Sequence, residues 1–132
     1  MAMQLRIVCP EECVFQGEVA YIGVPSTDGQ FGILPHHASE ICTIENGIVR
    51  VSDHKMGTVD HRIAVSEGYV QVANDEVIIL VERACDLADV DVEATREKLA
   101  GFEDQLRNLS ADDAHRAYLY NEIAWCKLLL AQ

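Results

Sequence analysis

The hydrophobic pattern of this 132-residue chain changes its period near residue 88, and no other feature limits the fold as strongly. Before that point, apolar and polar residues alternate. Val49 and Val51 interleave with Arg50 and Ser52, and Ile63 and Val65 with Arg62 and Ala64. A period of two puts alternate side chains on opposite faces of a strand. Glycines at 17, 23, 47, 57 and 68 cut the pattern into short segments, and Glu45-Asn46-Gly47 reads as a turn. Tyr69 to Val72 leads through Asn74-Asp75 into Val77-Ile78-Ile79-Leu80-Val81, which predicts a hairpin. The unbroken apolar run of its second strand predicts cover on both faces. Many short strands with frequent turns predict a β-sandwich or flattened barrel of about ten strands.

After residue 88 the period is helical. Val92, Leu99, Phe102, Leu106 and Leu109 form one stripe, and Asp89 and Asp91 stand where an N-cap is expected. Asn108-Leu109-Ser110 breaks that helix. Ser110-Ala111-Asp112-Asp113 is similar to a capping box and predicts a second helix from about there to Gln132. Ala114, Ala117, Ala124, Leu128 and Ala131 make a stripe of mostly small residues beside Leu119, Ile123, Cys126 and Leu130. So short a turn forces an antiparallel two-helix hairpin, with the alanines expected to let the helices approach closely. Tyr118, Tyr120 and Trp125 are too large for that seam and need a packing surface or a partner. The division is a β-sandwich domain over 1–88 and a helical hairpin over 89–132.

A net charge of −12 excludes nucleic acid as a partner, because no surplus of Lys and Arg exists to displace counterions. It also opposes docking on an anionic bilayer, and leaves solubility or a basic partner surface as its use. No secretory signal is expected at the N-terminus. The longest apolar run is the length of a strand, so no direct membrane insertion is expected. Five cysteines at 9, 13, 42, 85 and 126 suit free thiols in a reducing compartment. His36, His37 and Glu40 are the nearest approach to a metal set, with His54 and His61 elsewhere. Adjacent histidines on a strand point to opposite faces, so no metal site is expected. Nucleophile-elbow, phosphate-loop and dinucleotide motifs are absent from the sequence, and the paired acids fall in turns and helix starts. The chain reads as non-catalytic and without a cofactor of its own. The competing reading is a metal-dependent β-barrel enzyme with a helical tail.

One stretch remains, Asp28-Gly29-Gln30-Phe31-Gly32-Ile33-Leu34-Pro35-His36-His37-Ala38. Its glycines allow a tight turn or a close backbone approach, and Pro35 keeps it off a central strand, so it reads as a shaped edge or loop. It resembles the signature of the epsilon subunit of F-type ATP synthases. Cys9 to Val19 is similar to that family's first hairpin, Ile44 to Arg50 to its Asn-Gly turn, and Val65 to Val70 to its glycine–aromatic step. The resemblance covers essentially the whole chain.

The resemblance implies a rotor subunit of the central stalk, peripheral on the cytoplasmic face of a bacterial membrane. It implies a sandwich that binds the gamma subunit and the polar loops of the c-ring, with Gln30, Phe31, His37 and Ala38 as contact residues. It implies a hairpin that regulates ATP hydrolysis against the catalytic alpha and beta subunits. The basic residues for that contact are Arg116 and Lys127 alone, among Asp112, Asp113 and Glu122, so weak inhibition is expected. Some bacterial members bind ATP as a regulatory ligand through an aliphatic-Asp-x-x-Arg-Ala motif. Here Val90-Asp91 matches its first half, but Ala94 stands at the Arg position and Arg96 comes two residues late. Two residues are about 200° of helix, and this weighs against Asp91 and Arg96 acting together on a phosphate.

Overall fold

The computed structural model describes residues 2–26, 29–35 and 39–131. The chain forms two compact units, Met1–Ala88 and Asp89–Gln132.

The first unit holds ten strands in two sheets. They are β1 (Met3–Val8), β2 (Cys13–Val19), β3 (Tyr21–Ser26), β4 (Gly29–Ile33), β5 (Glu40–Ile44), β6 (Gly47–Ser52), β7 (His61–Val65), β8 (Gly68–Ala73), β9 (Glu76–Val81) and β10 (Ala84–Asp86). The first sheet runs β2-β1-β9-β8-β5 and the second β10-β7-β6-β3-β4. All pairs are antiparallel except β1 with β9. The expected sandwich of about ten short strands, followed by two helices, is therefore the fold. Period-two alternation sends Met3, Leu5 and Ile7 of β1 inward beside Val77 and Ile79 of β9, and Ile22, Val24, Val49, Val51, Ile63 and Val65 meet them from the second sheet. Each such side chain contributes roughly 1.5–3 kcal/mol when fully buried.

The turns follow from their residues. Asn74 and Asp75 both take positive φ, 52° and 61°, and close the β8–β9 hairpin in the primed geometry that matches strand twist. Glu45-Asn46 is also a turn, but it joins strands of different sheets: β5 pairs with β8 and β6 with β3 and β7. Asn46 Oδ1 accepts a 2.7 Å bond from the Glu67 amide and ties this corner to the β7–β8 turn. The His61 ring meets Phe15 edge-on, with centroids 5.0 Å apart, and its Nε2 shares a 2.9 Å hydrogen bond with Asp53.

One expectation for this unit is overturned. Strand β9 is not covered on both faces: Val77, Ile79 and Val81 are buried, but Leu80 is 46% exposed. Of its outward residues, Glu76 and Leu80 are exposed and Ile78 is half-buried.

The second unit is a pair of helices, α1 (Val92–Arg107) and α2 (His115–Leu130), packed on one another. Asp91 caps α1, its Oδ1 accepting from the Ala94 amide at 3.0 Å. Thr95, buried, completes the stripe of Val92, Leu99, Phe102, Leu106 and Leu109. Two sequence expectations fail here. Helix α2 begins at His115, because Ser110–Asp113 folds as a turn closed by the Asp113 amide on the Ser110 carbonyl. Asp113 then spends its Oδ1 on the His115 amide. The alanines are not the seam either: Ala114, Ala117, Ala124 and Ala131 are exposed, and Leu119, Ile123 and Cys126 take the buried arc. Larger aliphatic groups gain more from leaving water.

Candidate interaction site

Strands β3 and β4 present the glycine-rich stretch as an edge ribbon. Register pairs Ile22 with Ile33 and Val24 with Phe31 on the inner side, and Gly23 with Gly32 and Pro25 with Gln30 on the outer side. Gln30 is exposed, with its Oε1 over Gly23, whereas Phe31 is half-buried and packs against the core. Gly32 answers to Tyr21: a Cβ there would lie 2.7 Å from the phenol oxygen. The Tyr21 ring thus lies flat on the ribbon, and the glycine makes its seat. His37 and Ala38, with Asp28 and His36, lie outside the described residues.

A larger surface lies on the outer face of the first sheet. Thr43, Tyr69 and Leu80 stand side by side across β5, β8 and β9, and Ile41, Gln71 and Ile78 form the next row. Ile41, Tyr69 and Leu80 are 69%, 56% and 46% exposed. Beside them opens a cleft of about 710 Å³, lined by Val8, Pro10, Tyr69 and Leu80, with Glu67 and Glu82 among its walls. Gly68 shapes its floor, because a Cβ there would run into the Leu80 carbonyl oxygen. Burial pushes the Cys9 thiol at the cleft up from its ordinary pKa, and the Glu12 carboxylate adds to the shift. This face went unread in the sequence. Its signal was the apolar run Val77–Val81, which looks the same whether its second face meets the chain's own core or is left open.

The hairpin does not gather its nominated residues. Asp91 is engaged as the α1 cap, and Arg96 pairs with Glu93 at 3.2 Å on an exposed face. On α2, Arg116 is held inside the hairpin. Its Nη2 donates to Tyr120 Oη at 2.9 Å, its guanidinium lies 5.6 Å from that ring's centre, and its Nη1 lies 3.5 Å from the Leu106 and Leu109 carbonyls at the end of α1. A cation there also suits the negative end of the α1 dipole. Lys127 is exposed, one turn from the end of α2. Tyr118 stacks on His115, meets Phe102 edge-on and remains half-exposed. Among the described residues, no three His, Cys, Asp or Glu side chains converge as metal ligands, and no helix is long and apolar enough to cross a membrane.

A ten-stranded sandwich with an open apolar face, followed by a two-helix hairpin, defines a protein organised around exposed surfaces. Residues 2–86 match the family described as ATP synthase, Delta/Epsilon chain, beta-sandwich domain. The ATP synthase epsilon chain of Rhodospirillum rubrum is 34% identical over 128 residues, spanning 97% of this chain and 93% of that one. That of Synechococcus sp. (strain RCC307) is 35% identical over 103 residues, 78% of this chain and 74% of that one. The chain belongs to the ATP synthase epsilon chain family. Its fold is shared with a chain in the Euglena gracilis mitochondrial ATP synthase, solved as an OSCP/F1/c-ring assembly, at a TM-score of 0.76 and 22% identity over 98% of this chain and 79% of that one.

Proposed function

We propose that this chain is a non-catalytic rotor subunit of the central stalk, coupling ion translocation to ATP synthesis by binding the gamma subunit and the c-ring. The observation that carries the reading is the open face of the first sheet: Ile41, Tyr69 and Leu80 exposed together on a chain of this family. Contiguous apolar surface of this kind marks a docking site. The gamma subunit docks there. The c-ring loops meet the β3–β4 ribbon at Gln30, with His37 and Ala38 following in the sequence, and Phe31 acts by holding the ribbon on the core. The complex is peripheral to the cytoplasmic face of a bacterial membrane. Residues 1–88 bind, and residues 89–132 regulate by touching the catalytic alpha and beta subunits.

Inhibition of ATP hydrolysis by this hairpin is weak. Arg116 is spent on Tyr120 and the end of α1, which leaves Lys127 as the exposed Lys or Arg of α2. ATP has no preformed regulatory site, since Asp91 caps a helix and Arg96 pairs with Glu93.

The test is add-back to a cognate catalytic head lacking this subunit, with full-length chain and with chain ending at Ala88. Equal binding by both, with little change in ATP hydrolysis by either, is the expected result. Failure of both to bind would sink the stalk assignment. Strong inhibition by the full-length chain, lost in Arg116→Ala/Lys127→Ala, would sink the weak brake.

A further inference from the structure

We infer that the cleft on the open face of the first sheet is an anchor site for one basic side chain, Lys or Arg, projecting from an apolar segment of the partner subunit. The inference rests on the stalk-subunit reading and adds the chemistry of the contact.

The β8–β9 ladder ends at the Gly68–Val81 pair, and Glu67 and Glu82 stand one residue beyond it, in the bends at that end of the two strands. Both line the cleft, both are exposed, and neither has an ion-pair partner among the described residues. Two exposed carboxylates at one cleft give it a negative potential that a cation on a partner complements. Glu12 adds to the negative field, since it acts on the Cys9 thiol in the same cleft.

The rest of the cleft fits the remainder of a basic side chain. Val8, Pro10 and Leu80 supply apolar lining for the methylene stem, and Tyr69 brings an aromatic ring to the same cleft. A purely apolar partner would bury two unpaired carboxylates, which is strongly unfavourable. An acidic partner would meet repulsion from a chain already at −12.

Binding of the full chain to the cognate catalytic head lacking this subunit tests the assignment at low and at physiological salt. Glu67→Gln/Glu82→Gln should bind about tenfold more weakly at low salt and lose most of the salt dependence, as expected for a charge pair at an interface. The same variant should melt close to the wild-type temperature, because both side chains are exposed. Leu80→Ala should also bind more weakly but keep the salt dependence. Wild-type affinity in the double Gln variant, with weakened Leu80→Ala, would overturn the cationic anchor and leave the docking face standing. Wild-type affinity in both would overturn the docking face as well. A free chain that sediments as a dimer, and becomes a monomer on Leu80→Ala, would assign the cleft to a second copy and overturn the anchor.

Discussion

Glycine 68 acts through the atom it lacks. A Cβ at that position would overlap the Leu80 carbonyl oxygen and lie 2.9 Å from Val81 Cγ1. The first of these is backbone, fixed by the β8–β9 ladder, so it cannot swing aside as a flexible side chain would. Gly68→Ala should therefore cost about 3 kcal/mol by overpacking, a fall of roughly 10 °C in Tm. Gly101 is the internal control: it lies mid-way along α1 with nothing within 4 Å of its virtual Cβ. Gly101→Ala should stabilise by about 0.5–1 kcal/mol, because alanine loses less backbone freedom in a helix. Thermal melts of the two variants check both signs. A Gly68→Ala protein melting with the wild type would mean that the ladder gives way easily, and the cleft it shapes would not be preformed.

Element boundaries were legible where one residue type has one use, and illegible where it has two. Asp91 precedes an apolar stripe, and it caps α1 as that placement requires. Asp91→Ala should then cost about 1 kcal/mol and lower the helical signal of the full chain on warming, read by circular dichroism. An unchanged melt would mean that water or a neighbouring acid replaces the cap. Ser110 and Asp113 have equal capping chemistry but close a turn, so α2 starts at His115. The α2 stripe failed for a related reason. Alanines at 117, 124 and 131 and the aliphatics at 119, 123 and 130 share one helical period on different arcs. Periodicity reports that a helix has faces, while side-chain size decides which one is buried. Strand β9 repeats the lesson, since an outward Leu80 reads as core in sequence and is open in the fold. The strands themselves, the Asn74-Asp75 hairpin and the two-part division of period were readable because alternation and turn chemistry leave few other solutions. The docking face was not, because it brings together β5, β8 and β9, residues some forty positions apart.

At the scale of the molecule, the core and both sheets of the sandwich are built from residues between Met3 and Asp86. Among the described residues, the seventeen of its buried hydrophobic cluster lie between Met3 and Val81, and every strand pair of both sheets closes by Asp86. Early strands pair with late ones: β1 lies parallel to β9, β2 is bound through β1, and β10 returns to β7. Among the described residues, no ladder of the sheets includes a residue after Ala88. Eighty-eight residues exceed the size at which single domains need disulfides or metals to fold. A chain cut after Ala88 should therefore unfold in one cooperative transition, with the far-ultraviolet signature of a sheet protein and denaturation curves that coincide by fluorescence and circular dichroism. It should also keep the full chain's affinity for the catalytic head, because Ile41, Glu67, Tyr69, Leu80 and Glu82 all remain. A broad, non-cooperative transition would mean that the sandwich depends on the hairpin for its own stability. In that event, regulation could not be separated from binding by truncation, and the two activities would have to be dissected by point substitutions at Arg116 and Lys127 on one side and at Leu80 on the other.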